Sequence, residues 1–383
     1  MPTPDFSHPN LPSRNEECRL LQVEYQELLH LEAECTTALE QALYSGDKKR
    51  LRSAKVAYLT ALARLAEQLN PFEKLINLQE QYQAKLALFR KLELLEHLPD
   101  GREAIRDIND QLHPVISYQE VVQRFKDKAE LCKEKIGQGF VRLKLTPFGL
   151  SIDRLIEKKK QLLLQHFAEG RLFYTKADPN DSTEALIPIT AAEFDASNPL
   201  WVWDKYRGAD KSGGLVYYPE SFSATPGGQI KAELIVEAGV WDIGLMEDLP
   251  NIPRGGHGQT VGARPQLDTT GTSILAFIAP GETVPTPREY LQALQTDPTY
   301  QHESGLTPED QLIYDMEFLE ATNQVMDDYK GQGSVSYQLG AYFVADGIVP
   351  VACWDRNNRQ ARLGGVAPDF RDDRCGVRSS VRV

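Results

Sequence analysis

The sequence is poor in cysteine and has no long hydrophobic run. Its five cysteines in 383 residues are odd in number and widely spread, so a disulfide framework is not expected. No two cysteines form a CxxC pair, and no His/Cys cluster has metal-ligand spacing, so we expect no metal or other cofactor. No segment is long and apolar enough to cross a bilayer, which argues against membrane insertion.

Acidic residues outnumber basic ones, and the amino terminus does not resemble a leader segment. The net charge of −13 and the pI near 5.1 argue against nucleic acid as the partner, although a local basic patch remains compatible with them. The amino terminus, MPTPDFSHPNLPSRNEE, lacks the basic start and apolar stretch of a secretory signal. We therefore expect a cytoplasmic protein, with display or export by another route left open.

The composition otherwise resembles that of an ordinary globular protein. The hydrophobic fraction is 41% and the charged fraction 25%, enough for real cores. The length suggests two or three domains. Composition changes near residue 140, and we divide the chain into a helical bundle or coiled coil (1–140), a connecting strand and helix (141–170) and a ligand-binding domain (171–383).

Strong helix formers dominate residues 1–140. Ser13 and Glu16 have the spacing of a capping box at the start of a first helix. A third helix is indicated by apolar residues at helical spacing. These are Leu75, Leu78, Tyr82, Leu86 and Phe89. Short turns between such helices favour an antiparallel bundle, through which the chain can form a homo-oligomer.

From about Arg171 glycine, proline and aromatic residues become frequent, as in an α+β domain with many loops. Strand-like runs are LWVW (200–203), GLVYY (214–218), SILAFI (273–278), YQLGAYF (337–343) and VPVACW (349–354). Two helices begin at Thr286-Pro287 and Thr307-Pro308, each with a carboxylate three residues after the threonine. This pattern predicts a threonine N-cap followed by proline in the first turn.

Several groups could suggest chemistry but have simpler explanations. RGGHGQTVG (254–262) matches no phosphate-binding motif and is interpreted as a surface loop. Asp327-Asp328 could bind a metal or simply end a helix. The aromatic cluster could form a sugar platform, although core packing is favoured. Its members are Trp201, Trp203, Tyr206, Tyr217 and Tyr218.

The last thirty residues have three parts. Val349–Trp354 is an apolar strand, and 355–375 is rich in Asp, Asn, Arg and Gly. Val377, Ser379 and the following residues then alternate as in a half-buried final strand. A polar segment between two strands is well placed to form a binding surface on a rigid base.

This tail resembles a known family. WDRNNRQARLGG…PDFRDDRCGVRSSVRV is similar to the carboxyl end of the C-type-lectin-fold variable proteins of diversity-generating retroelements, and more distantly to the formylglycine-generating-enzyme branch of that fold. The resemblance is specific over 306–383, weaker over 171–305 and absent from the helical amino terminus. It implies a C-type-lectin-like domain. Together with the helical pattern of residues 1–140, we expect an α+β protein in which an N-terminal antiparallel helical bundle or coiled coil precedes that domain.

In that family a reverse transcriptase introduces changes at adenines of the tail codons. The resemblance implies that the variable, ligand-binding positions here are Asp355, Asn357, Asn358, Gly364, Val366, Asp369, Phe370, Asp372, Asp373, Arg374 and Cys375. It implies that the scaffold positions are Trp354, Arg359, Leu363, Gly376, Val377 and Arg378. The ligand would be a protein or a glycan, and Val377–Val383 would pair with a strand near Arg171–Thr175, which closes the domain.

Two other functions remain as alternatives. An oxidoreductase like the formylglycine-generating enzymes would use a reactive cysteine pair with copper, for which Cys353 and Cys375 are the sole cysteines in the domain. A structural component of a phage or other particle would share the fold and differ in its partner. We expect a binding protein rather than an enzyme.

Overall fold

The computed structural model describes residues 29–41, 48–177, 181–252, 285–331, 333–372 and 374–383. The helix expected after Ser13, the SILAFI strand and the RGGHGQTVG loop lie outside the described residues. The chain divides into two compact units, Met1–Asn77 and Leu78–Val383. The expected α+β class, with helices first and sheets after them, is confirmed. Within the described ranges, no helix is both long enough and apolar enough to span a bilayer.

The first unit is helical. Its elements are α1 (residues 29–41), α2 (Lys48–Leu69) and α3 (Glu73–Ile76). Leu31 of α1 and Tyr58 of α2 pack around Ala61, as expected for neighbouring amphipathic helices. Asn77 ends α3 in the left-handed conformation, with φ of 51°, which asparagine tolerates better than most residues.

The second unit begins earlier than the composition indicates, at Leu78. Its helices are α4 (Leu78–Lys91), α5 (Tyr118–Asp127), α6 (Ala129–Gly137), α7 (Ile152–Ala168), α8 (Ala209–Ser212), α9 (Lys231–Ala238), α10 (Pro287–Thr296) and α11 (Pro308–Thr322). Helices on both sides of the predicted boundary at residue 140 thus pack within one unit. The reason is local: Gln81 of α4 bonds the backbone at Val141 and Leu143.

The strands form four sheets. They are β1 (Glu96–His97), β2 (Glu103–Arg106), β3 (Leu112–Pro114), β4 (Arg142–Thr146), β5 (Leu200–Val202), β6 (Leu215–Tyr217), β7 (Gln229–Ile230), β8 (Asp242–Met246), β9 (Glu303–Gly305), β10 (Asp328–Tyr329), β11 (Val335–Tyr337), β12 (Ala341–Phe343), β13 (Val349–Asp355), β14 (Gln360–Val366), β15 (Cys375–Val377) and β16 (Ser379–Arg382). Among the described residues the sheet orders are β1-β2-β3, β12-β6-β7, β4-β8-β16-β9 and β15-β11-β13-β14-β5, with β10 beside β13.

The final strand pairs, but not with the segment we expected. Ser380 lies opposite Met246 of β8 and Ser304 of β9, so the expectation of pairing with Arg171–Thr175 is wrong. All five residues of β8 are buried, and β8 lies between β4 and β16, an inner position in its sheet. Phe173 instead forms isolated bridges with Pro188 and Gln324.

Helix α11 is buried on all sides, although its sequence predicts a single apolar face. Its Thr307 cap is confirmed and forms a capping box with Asp310. Four buried carboxylates of α11 each meet a lysine from a different element. Glu309 pairs with Lys231, Asp310 with Lys144, Asp315 with Lys159 and Glu317 with Lys85. A charged helix can be buried because these pairs compensate the lost hydration.

The same network includes Asp242 on β8, which accepts from Lys144 at 2.8 Å and from Arg382 at 3.2 Å. Burial alone would raise the pKa of Asp242, but the two cations outweigh it and hold the pKa at about 2, below the ordinary 3.8. The ionised carboxylate therefore stabilises the fold above about pH 4, and this contribution is lost as pH falls towards 2.

Acid unfolding should therefore depend on Asp242. Between about pH 5 and pH 2 the wild-type protein should lose about 2 kcal/mol more unfolding free energy than Asp242→Asn, because the amide does not titrate. Urea unfolding at a series of pH values measures both curves. Parallel curves across this range would contradict the assignment.

Candidate functional site

The tail is built on a regular antiparallel hairpin. Strands β13 and β14 pair at seven positions, from Val349 opposite Val366 to Asp355 opposite Gln360. Trp354 and Leu363, both expected in the core, are each 1% exposed. Val377 on β15 is fully buried as well. The expected burial of these three residues is confirmed, and their role as scaffold positions stays a prediction.

The hairpin turn carries two of the expected site residues on its surface. Asn357 and Asn358 are exposed. Asp355 is not: it is buried and accepts from the backbone N–H groups of Asn357 at 3.0 Å and Asn358 at 3.3 Å. Its expected exposure is wrong, because a short carboxylate closes a turn by bonding the backbone two residues on. Arg359 completes the turn with φ of 60°.

Three more expected surface positions are covered to different degrees. Gly364 is buried, and a Cβ there would lie 3.1 Å from Arg362 Nε and 3.4 Å from Trp201. Cys375 is buried because it lies on β15, paired in register with Val335. The expected exposure of both is wrong, since neighbouring strands cover them. Val366 is half-buried at the end of β14.

Residues 367–372 form a loop held by helix α10. Asp369 and Phe370 are exposed, as expected. Arg288 donates to both carboxylate oxygens of Asp369, at 2.7 and 3.2 Å, and this hydrogen bonding lowers the pKa of Asp369. Arg371 similarly donates to Glu289 at 3.0 Å. These two ion pairs position the loop while leaving the Phe370 ring 39% exposed.

Arg374 connects the end of the loop to strand β10. It is exposed, donates to Asp372 Oδ1 at 2.7 Å and reaches the Tyr329 hydroxyl at 2.8 Å. Asp372 is half-buried. Because Tyr329 lies opposite Asp355, Arg374 lies at the same end of the sheet as the hairpin turn. Asp373, the remaining expected site residue, lies outside the described residues.

Two adjacent aspartates form ion pairs with arginines of the tail. Asp327 and the fully buried Arg378 are joined at 3.0 Å, and Asp328 accepts from Arg356 at 2.7 Å. The alternative interpretation of Asp327-Asp328 as a metal site has no support here, since each carboxylate is paired with an arginine. Burial raises the pKa of Asp327. The positive charge of Arg378 opposes this effect and favours the ionised form of Asp327.

We call the exposed set the tail face: Asn357, Asn358, Asp369, Phe370 and Arg374. The hairpin turn and the start of the loop lie at opposite ends of β14, so the tail face has two parts, with Arg374 at the turn end. It offers amides, a carboxylate, a guanidinium and one aromatic ring, a combination suited to binding through an anchor and surrounding hydrogen bonds. The anchoring residues Arg288, Glu289, Tyr329 and Arg356 were missed in the sequence. In the sequence, the acidic pair Asp327-Asp328 ahead of an arginine-rich tail is the one pattern that indicates ion pairs with the tail.

The cysteines do not suit a paired-thiolate copper centre. Cys353 and Cys375 are buried and form no disulfide, and strand β11 lies between the strands that carry them. Two interstrand spacings place their backbones roughly 10 Å apart. Burial also raises the pKa of the Cys353 thiol well above its ordinary value, which opposes formation of a thiolate ligand.

No metal cluster replaces such a centre in the part of the chain that the structure describes: three or more His, Cys, Asp or Glu side chains nowhere converge as ligands. Comparison with known proteins adds no assignment. No family model, curated protein or solved structure matches this chain.

Proposed function

We propose that the chain is a ligand-binding protein that presents the tail face, a diversifiable surface, on a C-type-lectin-like scaffold. One observation carries the proposal. The exposed side chains of the tail lie on a turn and a loop, while the backbone beneath them is fixed by paired strands and by Arg356 and Arg378. Side chains in such positions can change with little effect on folding.

The lectin-like assignment rests on the tail's resemblance and is compatible with the topology. The resemblance calls for a domain whose chain ends meet in one sheet. Here the last strand, β16, and β4, which precedes the predicted 171–383 domain, flank β8 in the same sheet. The tail hairpin belongs to a different sheet, so its turn is free of the strands that close the unit.

The proposal includes self-association through the first unit. Leu39, Val56 and Leu59 on α1 and α2 are 48%, 64% and 49% exposed, more apolar surface than a helix pair alone can cover. A second copy that packs on these residues would bring several tail faces together and raise weak affinity by multivalency. Sedimentation of the full chain, expected above the monomer mass of 43.0 kDa, tests this part.

Binding by the tail face can be tested by diversification. The codons of Asn357, Asn358, Asp369, Phe370 and Arg374 are randomised together in the full chain, and the displayed library is selected against one fixed protein, hen lysozyme. We expect folded binders to emerge, because these side chains are exposed and the backbone beneath them is anchored.

A matched library supplies the control. It randomises five exposed positions on the helices of the second unit, Glu80, Gln123, Lys133, Gln161 and Gln165. Equal yields of binders from the two libraries would overturn the tail face as a privileged site. The retroelement part of the proposal is tested separately, by sequencing the DNA beside the gene. It requires a reverse transcriptase gene and a near-copy of the tail coding sequence.

A further inference from the structure

An open cavity of about 450 Å³ lies between strand β5 and helix α7, and β5 pairs with β14 of the tail hairpin, Leu200 opposite Ala361. Strand β5 is one edge of the six-stranded sheet, and β15, which follows the tail loop, is the other edge. The helix lines the cavity with positions 153, 156, 157 and 160, the spacing of a single helix face. A cavity of this volume falls within the usual range of small-molecule sites.

Two tryptophans form the aromatic wall of the cavity. Trp201 and Trp203 are half-buried. The Arg362 guanidinium lies 4.8 Å from the Trp201 ring centre, and the Trp203 ring meets Phe343 edge-on at 5.3 Å. Both rings are thereby fixed, and part of each lines the cavity. Core packing, favoured from the sequence, holds for Tyr206 and Tyr217, which are fully buried.

The polar wall consists of exposed (Asp204, Arg207) and half-buried (Lys160, Asn198) side chains. Lys160, Asn198, Asp204 and Arg207 line the cavity. With the other described residues, none of their side chains forms a hydrogen bond or an ion pair, and neither does either indole N–H. The charged residues of α11, by contrast, are paired. Four polar groups of different donor and acceptor character therefore converge on the cavity without partners.

We propose that this cavity binds a neutral saccharide of one or two units. Indole rings present flat apolar surfaces and an N–H donor, which match the C–H faces and hydroxyls of a sugar ring. The amide, carboxylate, guanidinium and ammonium groups supply both donors and acceptors for hydroxyl groups. Acidic residues 153, 157 and 204 and basic residues 160 and 207 give the lining no dominant charge. Mixed charge favours a neutral ligand, and this site does not depend on the tail face.

Tryptophan fluorescence reports on the cavity directly. The chain has four tryptophans, of which Trp241 and Trp354 are 7% and 1% exposed, so acrylamide quenching detects mainly Trp201 and Trp203. The full chain is titrated with the methyl glycosides of glucose, galactose, mannose and N-acetylglucosamine. We expect at least one of them to protect the fluorescence from quenching in a saturable way.

Variants then locate the binding. In Asp204→Ala/Arg207→Ala the affinity should fall at least about tenfold, because two hydrogen-bonding groups are lost. Lys205→Ala is the control: it lies between them in sequence but pairs with Asp346 at 2.7 Å outside the cavity, and its affinity should be unchanged. The proposal is overturned if no glycoside protects the fluorescence from quenching or if the double variant binds as well as the control. It is also overturned if the fluorescence is protected only by tetramethylammonium, a cation that has no hydroxyl groups.

Discussion

Replacing Trp354 by Ala is expected to lower the free energy of unfolding by about 3–5 kcal/mol, as for buried aromatic residues generally. The ring is 1% exposed and stacks on Phe194 with ring centres 6.2 Å apart and planes 12° from parallel. Phe194 in turn contacts Phe167 of α7. The substitution therefore leaves a cavity between the tail hairpin and that helix, which urea unfolding would measure.

The tail face provides the contrast a few residues away. The triple variant Asn357→Ser, Asp369→Ser and Phe370→Ser should lose no more than about 1 kcal/mol in total, because exposed side chains and surface ion pairs contribute little. If the triple variant unfolds as readily as Trp354→Ala, the tail face is part of the scaffold and the ligand site lies elsewhere.

A second large effect is expected at Arg378, which is fully buried. The guanidinium donates to Asp327 at 3.0 Å, Gln311 at 3.0 Å and the Leu249 carbonyl at 3.1 Å. Arg378→Met keeps much of the side-chain volume but leaves Asp327 buried without its cation. Breaking a buried pair in this way costs about 3–5 kcal/mol.

The pH dependence of this loss identifies its cause. Burial already raises the pKa of Asp327, and without Arg378 the neutral carboxyl becomes still more favoured. Protonation removes the uncompensated charge, so the difference between Arg378→Met and the wild type should shrink as pH falls. Arg371→Met is the control, since the exposed Arg371–Glu289 pair at 3.0 Å contributes about 0–1 kcal/mol. A pH-independent difference would point to lost packing instead.

Local features of the fold could be predicted because their causes are local. The Thr286 and Thr307 caps follow from a hydroxyl, a proline and a carboxylate within four residues, and both form as capping boxes. Strand β13 and the final strand likewise follow from their apolar patterns, whereas β14 lies in the segment 355–375 that residue type predicts to be a polar loop, and that part of the prediction is wrong. The partner of the final strand could not be predicted, because pairing with β8 joins residues more than 130 positions apart.

The candidate site was predicted in part for the same reason. Asn357, Asn358, Asp369, Phe370 and Arg374 are exposed because they lie on a turn and loop, which residue type indicates. Asp355 and Cys375 have residue types that occur equally on a surface. Their burial follows from turn closure and from the pairing of β15 with β11. The burial of Gly364 similarly depends on Trp201, a residue 163 positions earlier.

The paired charges of α11 restrict how this sequence can evolve. Lys231, Lys144, Lys159 and Lys85 come from four separate elements, and each meets its own carboxylate on one helix. Loss of one member leaves a buried charge, whereas loss of a complete group, which for Lys144 includes Asp242 and for Lys231 includes Asp210, can be nearly neutral. A change from one tolerated sequence to another by single substitutions therefore passes through a destabilised variant. Relatives of this chain should keep or exchange each of these pairs as a unit, and double-mutant cycles across them should be strongly non-additive.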